Sequence, residues 1–118
     1  MKDKPAPSIT IAPHPGRVRV LFAEETVADS SNALVLREGR YPPVLYIPRS
    51  DANMGLCRRT EHSTHCPHKG DAAYFSLSVG GRTAENAVWT YEAPFAGVAE
   101  IRDHLAFYPD RVDRIEVL

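Results

Sequence analysis

The sequence predicts an all-β fold with one or two short helices, and three observations carry that expectation. Residues 17–22 read Arg-Val-Arg-Val-Leu-Phe, polar and apolar side chains alternating at the two-residue period of a half-buried strand. Residues 72–79, Ala-Ala-Tyr-Phe-Ser-Leu-Ser-Val, form a β-prone run bounded by Gly70 and by Gly80-Gly81. Further short apolar runs recur between turn residues, the spacing of a β-rich barrel or sandwich.

Taken in order, residues 1–16 carry Pro5, Pro7, Pro13 and Pro15 and little to bury. Proline cannot donate to a ladder, so this stretch reads as a Pro-rich N-terminal arm, with a single β domain over residues 17–118. Strands are expected at residues 17–22, 26–28 and 33–38, and their short connections favour an antiparallel meander. Pro42, Pro43 and Pro48 bracket the next apolar run, which places it at a sheet edge. Ser50 or Asp51 can cap a short helix over residues 52–57, although Gly55 weakens it.

Residues 58–63 form a polar approach to Pro67-His68-Lys69-Gly70. That tetrapeptide reads as a hairpin loop: Pro67 presets φ at the first turn position, and Gly70 supplies a conformation other residues avoid. The 72–79 strand turns at Gly80-Gly81 and returns through Ala87-Val88-Trp89-Thr90-Tyr91. One helical turn is expected within residues 94–101, and strands at 105–108 and 112–118 close the domain.

At 118 residues the chain is one domain, long enough to bury a core without metal or disulfide. A net charge of -1 leaves no basic stripe of the kind nucleic-acid binding requires. No apolar run approaches membrane-spanning length, and Met1-Lys2-Asp3-Lys4 leads into prolines rather than a signal-peptide core. Cys57 and Cys66 make no disulfide scaffold and read as free thiols in a reducing, cytoplasmic setting.

The chemistry concentrates in Thr64-His65-Cys66-Pro67-His68-Lys69-Gly70. Cys66 is a candidate nucleophile or redox thiol, since a nearby lysine and histidines favour the thiolate. Cys57 has two arginines beside it but no turn to present it. Lys69 is a candidate anion holder or base, expected on the exposed side of the loop, where truncation costs little stability. His62, His65, Cys66 and His68 invite a metal reading, but adjacent strand residues point to opposite faces and the four cannot converge. Trp89 and Tyr91 share one strand face and, with Tyr46, Tyr74 and Phe107, can line an aromatic pocket. Asp29 and Glu38 are the remaining carboxylate pair to consider for acid–base work, although charges at strand ends are usually solvated.

Val27-Ala28-Asp29-Ser30, Leu36-Arg37-Glu38, Tyr46-Ile47-Pro48, the Thr64–Gly70 motif, Val88-Trp89-Thr90-Tyr91 with Pro94, and Leu105-Ala106-Phe107-Tyr108 occur in this order. As a set they resemble the domain of unknown function 427 family, mostly bacterial domains, over roughly residues 17–117. The resemblance implies a β-tent fold, two small antiparallel sheets packed at a steep angle. It implies no activity. A nucleotidyltransferase label sometimes attached to the family finds no glycine-rich phosphate loop or paired aspartates here. The two Cys-x-x-Cys knuckles with which many β-tent proteins bind zinc are also missing.

The function expected is binding of a small polar or anionic molecule in an aromatic-lined pocket near the Cys66–Gly70 loop. Trp89 and Tyr91 supply one wall, Tyr46 stands opposite, and Lys69 faces the polar end. One alternative is a small enzyme using Cys66 as nucleophile or Lys69 as base on the same pocket. Another is a protein-interaction module using the exposed edge at residues 42–48. No metal or other cofactor, no nucleic acid and no membrane is expected, and the chain is read as a monomer or homodimer.

Overall fold

The computed structural model describes residues 8–118. The chain runs β1 (Ile9–Pro13), β2 (Val18–Phe22), β3 (Glu25–Ser30), β4 (Leu34–Glu38) and β5 (Val44–Pro48), then 3-10 turns at Arg49–Asp51 and Met54–Leu56. It continues through β6 (Cys57–Cys66), β7 (Gly70–Val79) and β8 (Arg82–Tyr91), a 3-10 segment at Ala96–Ile101, β9 (His104–Phe107) and β10 (Arg114–Val117). All ladders between these strands are antiparallel. They form a seven-stranded sheet in the order β1-β4-β5-β9-β8-β7-β6 and a three-stranded sheet in the order β10-β2-β3. The fold is all-β with short helical turns, as the periodicity predicts, though its two sheets are unequal.

The broad sheet buries side chains on both faces. Val18, Val20 and Phe22 of β2 alternate inward against Ile47, Phe75, Leu77, Val88, Leu105 and Phe107, which forms the core between the sheets. On the opposite face Tyr46, Ala72, Tyr74, Tyr91 and Ala106 gather with Leu36, Val98 and Ile101. Strand β7 serves both cores, so Tyr74, Phe75, Ser76 and Leu77 are all buried. This explains why its sequence reads as a nearly continuous apolar run.

Five expectations need correction. The second half of the Pro-rich arm is strand β1, paired along β4 from Ile9↔Glu38 to Pro13↔Leu34; residues 1–7 of that arm lie outside the described residues. The β2–β3–β4 meander does not form. The free edge of β3 is occupied by a bridge from Ala28 to Ala52 and by the Asn53 N–H, which donates to the Val27 carbonyl at 2.7 Å, so β4 joins the other sheet. Strand β5 is not an edge: β4 lies on one side and β9 on the other. Its prolines are tolerated because Pro42 and Pro43 precede it and Pro48 ends it.

The helix over residues 52–57 is replaced by two single turns. Ala52 is spent in the extended bridge, and the Asn53 side chain accepts from the Gly55 N–H at 3.1 Å. Finally, the polar approach at residues 58–63 is part of β6, a ten-residue edge strand exposed enough that no apolar alternation marks it.

The seven-stranded sheet has one weak seam. Between β5 and β9 only Ile47↔Leu105 and Pro48↔His104 pair, and β5 then continues along β4 through Tyr46, Leu45 and Val44. Leu105, fully buried in the inter-sheet core, sits at this seam. Leu105→Ala is expected to lower unfolding stability by about 2–5 kcal/mol, read from the urea midpoint. A loss below roughly 1 kcal/mol would show that the seam collapses around the deletion.

Candidate functional site

The β6–β7 hairpin brings the motif to one end of the broad sheet. Cys66 pairs with Gly70, and the Lys69 N–H donates to the Cys66 carbonyl at 3.2 Å, so the loop proper is Pro67-His68-Lys69. Gly70 has a φ of +117°, a region L side chains rarely adopt. The Phe95 N–H donates to the Lys69 carbonyl at 2.9 Å and ties the loop to the segment after β8.

From this loop Lys69 turns back across the sheet. Its Nζ donates to Glu38 Oε1 at 2.6 Å, and both side chains are only 12% exposed. Glu38 closes β4, so the ion pair links the two halves of the broad sheet across strands that are far apart in sequence. Lys69 is therefore not the exposed loop lysine the sequence suggests. Asp29 does not join Glu38: it lies on the three-stranded sheet and is held below the usual carboxylate range by its hydrogen bond from Arg17.

The neighbouring strands supply an aromatic surface. The Gly80-Gly81 turn aligns β7 with β8 so that Tyr74 lies opposite Trp89 and Ala72 opposite Tyr91, the small alanine leaving room for the ring. Trp89 packs edge-on to Tyr46, with centroids 6.3 Å apart, and its Nε1–H donates to the Tyr46 hydroxyl at 3.3 Å. Tyr108 tilts against the same indole at 4.5 Å. The Tyr74 hydroxyl shares a hydrogen bond with Thr64 Oγ1 at 2.9 Å.

Together these groups line a concavity of about 540 Å³. Cys66, Lys69, Trp89 and Tyr91 are all on its wall, joined by Glu38, Tyr41, Tyr74 and Tyr108. Tyr46 is not on the wall. It stands behind Trp89, 1% exposed, and orients the indole. Phe107 belongs to the core on the other face. Residues 10–118 match the family model described as Domain of unknown function (DUF427). The chain belongs to the DUF427 family. No curated protein matches it in sequence.

In this DUF427 domain the histidines of the motif diverge. His62 packs on the Tyr74 ring at 4.4 Å, His65 Nδ1 lies 2.7 Å from Asp71, and His68 borders the concavity. Among the described residues no three His, Cys, Asp or Glu side chains converge as a metal site. Cys57 lies at the far end of β6 from Cys66, and burial pushes its thiol up to about 11. Among the described residues no helix is long and apolar enough to cross a membrane. Sequence reasoning missed Glu38 as a partner for Lys69 and missed Tyr41 and Tyr108. The signal available for Tyr108 was its place at the end of the strand expected over residues 105–108.

Two predictions follow from this geometry. Lys69→Met leaves the Glu38 carboxylate largely buried without its cation, and the expected loss of stability reaches about 3 kcal/mol. Glu38→Gln with Lys69→Met together should recover much of that loss, and a double-mutant cycle by urea denaturation measures the coupling.

The second concerns alkaline pH. Burial raises the Tyr46 hydroxyl from 10.0 to about 12. The unfolded chain thus releases this proton first, and stability present below the ordinary tyrosine range is lost as pH rises through the raised value. Urea midpoints of the Tyr46→Phe variant should fall less steeply than those of the parent between pH 10.0 and about 12. Identical slopes would remove Tyr46 as a cause.

Proposed function

We propose that this chain is a small-molecule-binding domain whose ligand, polar in character, occupies the concavity beside the Cys66–Gly70 loop. The observation that carries the reading is the sorting of its aromatic residues. The chain has five tyrosines and one tryptophan. Tyr41, Tyr74, Tyr91, Tyr108 and Trp89 line this concavity, and Tyr46 braces Trp89 from behind. Three of the four phenylalanines, Phe22, Phe75 and Phe107, are in the core between the sheets. Aromatics that carry a donor thus stand together where a ligand can meet them, and those that carry none fill volume.

The Lys69–Glu38 pair gives the concavity a polar end. Because Glu38 already offsets the Lys69 charge at 2.6 Å, the arrangement supports a polar ligand more strongly than an anionic one. The same bond engages Lys69 as a donor, which argues against its use as a base. Cys66 on the wall is the observation that favours a second reading, an enzyme with a thiol nucleophile. An interaction module would have to use a surface other than the edge of β5, since β5 has neighbours on both sides. On its two free thiols we also place the protein in a reducing, cytoplasmic setting.

Trp89 is the chain's single tryptophan and stands on the wall of this concavity, so its fluorescence responds to what binds there. A panel of amides, polyols, carboxylates and nucleobases should contain a compound that changes it saturably. The response should persist in Cys66→Ser and vanish in the Glu38→Gln, Lys69→Met double variant while the fold is retained. No saturable response, or one indifferent to the double variant, overturns the reading. Loss on Cys66→Ser alone moves the assignment to the thiol enzyme.

A further inference from the structure

A second cavity, of about 550 Å³, lies between the broad sheet and the three-stranded sheet. Val20 of β2, Ile115 of β10, Ile47 of β5 and Phe107 of β9 face it, and no charged side chain does. Pro42, Pro43 and Pro109 border it, residues with no N–H to leave unmet in an apolar wall. Tyr41, 71% exposed, and Val117, 54% exposed, line it too. Two of the four large hydrophobics that stand exposed among the described residues therefore belong to this one cavity. That is apolar surface which folding has left in contact with water.

The apolar cavity and the polar concavity are both lined by Tyr41, Val44 and Trp89. They meet where the broad sheet is incomplete. Pairing between β5 and β9 ends at Ile47↔Leu105, so no ladder joins the stretch from Val44 to Tyr46 to Ala106 and Phe107. A polar hollow on one face and an apolar one on the other thus adjoin at a gap between two strands, with the Trp89 indole at the junction.

We propose that the two cavities form one site for a single-chain amphiphile. Its unbranched apolar tail lies between the sheets, and an uncharged hydrogen-bonding head, such as a hydroxyl or amide, lies among the tyrosine hydroxyls and the Lys69–Glu38 pair. An unbranched chain is the shape that passes between two strands whose pairing has stopped. The head is uncharged because a cation there meets Lys69 and an anion meets Glu38, each already neutralised by the other. This inference rests on the reading of the concavity as a ligand site and adds the ligand's class.

The test uses the full chain, Trp89 fluorescence and calorimetry, with n-hexanol, n-octanol and n-decanol as probes. Affinity should rise about fourfold per added methylene, the gain from burying each one. Decylammonium and decanoate should bind more weakly than decanol. Ile115→Phe, which fills the tail cavity from β10, should flatten the chain-length series; if that variant does not fold, Val117→Phe at the exposed mouth serves instead. Affinity independent of chain length, a series unchanged in the folded variant, or tighter binding of either charged probe overturns the proposal. Short polar compounds that bind the concavity with no gain for decanol sink this inference and leave the ligand-binding reading standing. No binding of either kind sinks both.

Discussion

The register of β7 on β8 is the constraint on which the rest of this structure depends. Gly80 and Gly81, with φ of +56° and +85°, make the two-residue turn that starts the ladder at Val79↔Arg82. Further along, the ladder shifts between Leu77↔Ala84 and Phe75↔Val88. Asn86, at φ 49°, lies in the extra stretch, and its N–H donates to the buried Ser76 Oγ at 2.9 Å. Turn and bulge together decide that Tyr74 faces the concavity with Trp89 and that Phe75 faces the inter-sheet core with Val88. A slip of one residue would send tyrosine hydroxyls into an apolar core and strand their hydrogen bonds.

Given that register, the polar end of the site is set by one charge pair. Lys69 reaches it from a hairpin loop, and Glu38 from the end of β4, a strand that runs beside β1 at the far side of the sheet. Both side chains are largely buried, so each needs the other. The loop is in turn held by the Phe95 N–H on the Lys69 carbonyl, which leaves the ammonium little freedom to leave Glu38. The result is a dipole fixed at the edge of an aromatic surface rather than a mobile surface cation.

The two-pair seam between β5 and β9 has the opposite character. It holds the wing β1-β4-β5 to the four strands β9-β8-β7-β6 with few backbone bonds, and no ladder spans the stretch beyond it. Trp89 stands beside that place, on the wall of both cavities, braced by Tyr46 and Tyr108. A continuous ladder would have made a stiffer sheet and left no junction between its faces.

By itself the sequence determined the strand class, the Gly80-Gly81 and Pro67–Gly70 turns, and the convergence of Cys66, Lys69, Trp89 and Tyr91. Each follows from local rules: two-residue alternation, turn chemistry, and the pairing of consecutive strands. Only the tertiary structure decided that β4 leaves β3, that β5 lies inside its sheet, and that polar β6 is a strand at all. Those outcomes turn on who occupies a strand's second edge. That is a competition between segments far apart in the chain, as when Ala52 and Asn53 take the edge of β3. The Lys69–Glu38 pair was hidden for the same reason. A lysine in a loop and a glutamate at a strand end each look solvated when read locally, and only their meeting across the sheet buries most of both.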